Sequence, residues 1–111
     1  RRIYVILTMA PEPPADAKYW KSAVLQDSIV AIWSDLAARY RNSPAMGGFD
    51  LINEPNPPGR APEAHRRYAD FAGRLIEAVR KVDPQRRSPI WKRLCRCCDV
   101  MKTARTKPLP N

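Results

Sequence analysis

The chain has 111 residues and a formal net charge of +9, with 20 Lys and Arg against 11 Asp and Glu. That length suits one domain, and no run approaches the roughly 18 apolar residues that a membrane-spanning helix requires. The charge would suggest nucleic acid or an anionic surface if it were evenly spread, but residues 1 to 84 hold 12 Lys and Arg against 10 Asp and Glu, whereas residues 85 to 111 hold 8 against Asp99 alone.

Arg1-Arg2-Ile3 opens the chain without a methionine, a polar lead-in or an apolar signal segment, so it reads as the interior of something longer. Ile3 to Met9 is almost wholly apolar and rich in β-branched and aromatic residues, which predicts a strand covered on both faces in a parallel sheet. Pro11, Pro13 and Pro14 exclude helix and central strand after it, leaving an extended loop. From about Ser22 to Arg41, Leu25, Ile29, Ile32, Trp33, Leu36, Ala37 and Tyr40 recur three or four apart and mark the buried stripe of a helix.

A second strand is expected after Gly47 and Gly48, followed by a loop containing Pro55, Pro57, Pro58 and Gly59. Pro62 suits the first turn of a second helix, whose stripe is Ala64, Tyr68, Phe71, Ala72, Leu75, Ile76 and Val79, and Asp83-Pro84 ends it. Ser88-Pro89-Ile90-Trp91 reads as the start of a third strand. Strands near residues 3, 48 and 88, each pair separated by one helix, predict crossover units on a parallel sheet.

Gly48-Phe49-Asp50-Leu51-Ile52-Asn53-Glu54-Pro55-Asn56 carries the chemistry. It predicts a short buried strand that delivers an amide and a carboxyl side by side. A carboxylic acid can protonate a glycosidic oxygen as it leaves, and an adjacent amide can hold a sugar hydroxyl. Pro55 biases Glu54 away from helical geometry, so Glu54 is expected at the strand's mouth. The competing reading is that Asn53 and Glu54 only cap the following loop.

From Tyr4 to about Ile90 the chain resembles the cellulase-type glycoside hydrolases of family 5. The resemblance rests on Tyr4-Val5-Ile6-Leu7-Thr8, the helix from Ile32 to Tyr40, Phe49-Asp50-Leu51-Ile52-Asn53-Glu54-Pro55, and Val82-Asp83-Pro84. It implies an α/β fold, a fragment of a (β/α)8 barrel comprising the third and fourth units and the opening of the fifth. A closed barrel of this kind takes about 250 residues, so residues 1–90 are expected to be a partial barrel and residues 91–111 an irregular basic tail. The resemblance makes Glu54 the general acid/base and Asn53 the donor to the hydroxyl beside the reacting carbon. The nucleophilic glutamate comes from the family's seventh strand, which the chain does not reach, so the chain alone is expected to be inactive. The implied partner is a β-linked glucan or related carbohydrate, with no metal or organic cofactor.

Other residues bear on substrate and partners. Trp20 and Tyr19 could stack on a sugar ring or equally cover the barrel's rim. Thr8-Met9-Ala10 stands where family members often place a histidine and an aromatic. Glu12 and Asp16 are read as solvated loop charges, and His65 as surface. Cys95, Cys97 and Cys98 offer three thiols without a histidine, short of a structural zinc set. No aromatic interleaving or groove-reading helix accompanies the tail's basic residues, so no nucleic-acid partner is expected. The tail departs from the family pattern after Ile90, which suggests a reading-frame shift near residues 87 to 91. Two rival functions stand beside the hydrolase: a basic module that binds anions through its tail, and a noncatalytic carbohydrate-binding remnant.

Overall fold

The computed structural model describes residues 2–10, 20–53, 55 and 57–85. The predicted third strand at 88–91, the cysteine cluster and the basic tail lie outside the described residues, as do Glu12, Asp16, Tyr19 and Glu54.

Strand β1 (Val5–Thr8), helix α1 (Ala23–Tyr40), strand β2 (Met46–Asp50) and helix α2 (Ala61–Val82) follow in the alternating order expected. Strands β1 and β2 pair in parallel, with Ile6 opposite Gly48, Leu7 opposite Phe49 and Thr8 opposite Asp50. Parallel neighbours need a crossover connection, and α1 supplies it. The register slips between Val5 and Ile6, where Val5 faces Met46 and Gly47 is the extra residue. A Cβ on Gly47 would meet the Tyr4 Cβ at 3.1 Å and the Val5 carbonyl oxygen at 3.4 Å. Glycine is what lets the two strands approach at this slip.

Local chemistry sets the helix ends. The Ser22 hydroxyl accepts from the Leu25 amide at 3.2 Å and caps α1. Helix α2 starts with Pro62 in its first turn, has Glu63 near its positive end and has Arg80 and Lys81 near its negative end. The two helices pack against one face of the sheet around Ile29, Trp33, Ala37, Phe49, Phe71, Leu75 and Val79. Trp33 and Phe49 meet edge to face, with centroids 5.5 Å apart. Each fully buried side chain of this size contributes roughly 1.5–3 kcal/mol.

Two expectations need correction. Strand β1 was expected to be covered on both faces, but Ile3 is 81% exposed, Tyr4 59%, Val5 45% and Ile6 48%. Leu7 and Met9 pack on the core from the helix side, while the opposite face has no comparable cover among the described residues. The predicted stripe of α1 is also narrower than expected. Ile29, Trp33 and Ala37 are buried and Leu36 and Tyr40 partly so, but Leu25 and Ile32 are exposed. A helix that is apolar on more than one side is built for more than one neighbour, and among the described residues α2 is the helix it packs against.

Candidate functional site at the carboxyl ends of the strands

In α/β sheets, ligands bind beyond the carboxyl ends of the strands, because the connecting loops there are free to carry function. In this chain those ends are Thr8 and Asp50. Phe49 turns toward Trp33 and the helices, so Asp50, one residue on, points to the other face of the sheet with Thr8 beside it. The Thr8 hydroxyl donates to Asp50 Oδ2 at 2.9 Å.

Strand β2 was expected to run to the Asn-Glu pair, but it ends at Asp50. The amide of Met9 donates to the Asp50 carbonyl at 3.2 Å, and a regular parallel ladder would then bring the amide of Ile52 to the Met9 carbonyl. The amide of Asn53 takes that place instead, at 2.9 Å. One additional residue is therefore accommodated at Leu51-Ile52, and both consecutive side chains are buried, at 4% and 5% exposure. The chain thus turns before Pro55, earlier than the proline alone suggested. The buried Trp33 indole fixes the turn by donating from Nε1 to the Leu51 carbonyl at 3.0 Å.

Asn53 follows directly, half-buried, and Pro55 is buried. Glu54 stands between these two in sequence but lies outside the described residues.

Trp20, for which a sugar platform and a packing role were both open, is 4% exposed. Its ring meets Tyr68 and Phe71 edge to face, at centroid distances of 6.4 and 6.0 Å, and its carbonyl accepts from Gln26 Nε2 at 3.3 Å. This placement supports packing, because a stacking platform needs an open ring face. His65, read as surface, is half-buried on α2.

Among the described residues, Asp50 is the one carboxylate at the strand ends; Asp27, Asp35, Glu63, Asp70 and Glu77 belong to the helices and Asp83 follows α2. The sequence reading passed over Asp50 and Thr8 as site residues. A carboxylate closing an otherwise apolar strand, opposite a hydroxyl, was the signal available. An open groove between α1 and α2, lined by Asp27, Val30, Ser34, Arg74, Glu77 and Lys81, involves helix residues only and lies apart from this site. No described helix is long and apolar enough to cross a membrane.

Over 68 residues the chain is 32% identical to a protein named "Beta-xylosidase" from Phanerodontia chrysosporium, a match covering 61% of this chain and 13% of that protein. The chain therefore spans a small part of this relative's length. Residues 1–91, most of the 111, match the family described as Cellulase (glycosyl hydrolase family 5). The chain belongs to glycosyl hydrolase family 5.

Proposed function

We propose that this chain carries the acid/base portion of a retaining glycosidase site, acting on a β-linked glycan of the glucan or xylan class. The turn at Leu51-Ile52, which sets Asn53 just beyond two parallel strand ends, is the observation that carries this reading. In family barrels the chemistry takes place at this end of the strands. The β1-α1-β2-α2 segment would be the third and fourth units of that barrel.

In this reading the Glu54 carboxylic acid donates its proton to the glycosidic oxygen as the bond to the anomeric carbon breaks. As carboxylate, it then takes a proton from the water that releases the sugar. The Asn53 side-chain amide donates to the hydroxyl next to the reacting carbon, where a hydrogen bond strengthens as positive charge develops on the ring. A retaining mechanism also needs a nucleophilic carboxylate about 5–5.5 Å from the acid. Asp50 does not serve, since Thr8 holds one of its oxygens and the other is buried. We assign the nucleophile to no residue of this sequence.

The test has two parts. Titrating the 111-residue chain with cellotriose and xylotriose should shift the side-chain amide resonances of Asn53, and no shift with either sugar would sink the sugar-site reading. Aryl β-glucosides and β-xylosides should not be hydrolysed. Hydrolysis lost in Glu54→Gln would overturn the missing nucleophile, and hydrolysis unaffected by Glu54→Gln would overturn the role of Glu54.

A further inference from the structure

Asp50 is a carboxylate in an unfavourable position for stability alone. Its Oδ2 receives the Thr8 hydroxyl, but its Oδ1 is buried and accepts no hydrogen bond from the described residues. Buried polar atoms without partners cost free energy, and a threonine or valine would close the strand without that cost. Where a chain breaks such a rule, function is the first explanation to test.

The surrounding bonds indicate what Asp50 does. Its side chain joins Thr8 and its carbonyl accepts from Met9, so the last residue of β1 and the residue after it are both tied to this one residue. The carbonyl of the same Met9 then holds the amide of Asn53. A shift of Thr8-Met9 relative to Asp50 is therefore transmitted to Asn53 through a single residue, Met9. We infer that Asp50 is a positioning residue for the carbohydrate site, and that with Thr8 it forms a clamp fixing where Asn53 stands beyond the strand ends.

The clamp stands on geometry alone, while its use in sugar binding rests on the function proposed above. Thr8→Val keeps the shape of the side chain and removes the donor; Thr8→Ser keeps the donor. Thr8 is exposed, so both variants are expected to fold. In the full 111-residue chain, amide hydrogen exchange at Asn53 should accelerate roughly three- to tenfold in Thr8→Val, the scale of one lost hydrogen bond. Amides in the middle of α2 should be unchanged, and Thr8→Ser should restore the original rate at Asn53. Acceleration spread equally over Asn53 and α2 would mean general destabilisation and would overturn the clamp, as would no acceleration at all.

The same variants carry the sugar readout. The Asn53 side-chain shift on adding cellotriose or xylotriose should need several-fold more sugar in Thr8→Val and recover in Thr8→Ser. A sugar-induced shift in the unmodified chain that Thr8→Val leaves untouched overturns positioning while sparing the glycosidase reading. A local exchange effect without any sugar-induced shift does the reverse.

Discussion

The Trp33 indole donates to the Leu51 carbonyl across 3.0 Å, in a buried contact that joins the middle of α1 to the turn beyond β2. Trp33 is 1% exposed and lies edge to face on Phe49, so one side chain both fills the core and holds the backbone that leads to Asn53. Trp33→Phe would keep most of the apolar contact and leave a buried carbonyl without its donor. Such a loss costs about 1–3 kcal/mol, with a cavity term added. Urea denaturation should show at least that drop; a variant as stable as the parent would mean the contact does not form.

Gly47 and Gly73 should respond to alanine with opposite signs. At Gly47 the new methyl would press on the Tyr4 Cβ, just before the paired strand, and on the carbonyl of Val5, its first residue. Overpacking of this kind costs typically about 1–3 kcal/mol. Gly73 is exposed in α2 with nothing within 4 Å of a built Cβ, and replacing a helix-interior glycine there should stabilise by roughly 0.5–1 kcal/mol. Melting temperatures of the two variants should move apart, and a fall in both would contradict the open space at Gly73.

The periodicities of Ala64, Phe71, Leu75 and Val79 and of Ile29, Trp33 and Ala37 were enough to place both helices and their common face, because burial of an amphipathic stripe is a local pattern. The parallel pairing followed from the alternation of strands and helices. The end of β2 was not legible. It depends on one additional residue at Leu51-Ile52, and the amide that reaches Met9 is fixed by a contact between segments more than 40 residues apart. The exposure of Val5 and Ile6 was missed for a related reason: an apolar run indicates what a strand needs, not whether its neighbours are present. Trp20 had an aromatic's two possible uses, and only its contacts with Tyr68 and Phe71 separate them.

Glu63 links stability to pH. The hydrogen bond and charge of Arg67, four residues on, hold its carboxyl below the usual carboxylate range, and the two side chains meet at 2.6 Å. A carboxyl whose pKa is lower in the folded chain adds stability above its unfolded pKa and loses it as pH falls through the folded value. Arg67→Ala should therefore weaken the chain slightly at neutral pH and make no difference once Glu63 is protonated. Because the pair is exposed, added salt should also shrink the effect. Denaturation of both proteins at neutral and strongly acidic pH checks this, and an equal deficit at both would assign the role of Arg67 to packing.

Strand β1 pairs with β2 on one side, and among the described residues nothing pairs with its other side. Tyr4, Val5 and Ile6 are 45–59% exposed there, so the strand combines free backbone donors and acceptors with apolar side chains. That combination invites edge-to-edge association of copies, which natural sheets suppress with charged residues, lysine above all. Ile6→Lys should leave unfolding free energy within about 0.5 kcal/mol of the parent, since half of this side chain is already in water. It should also lower the apparent mass in concentration-dependent light scattering. If the parent scatters as a monomer at every concentration, the edge is not sticky. A large stability loss in Ile6→Lys would show instead that Ile6 is covered in solution, as a barrel strand covered on both faces would be.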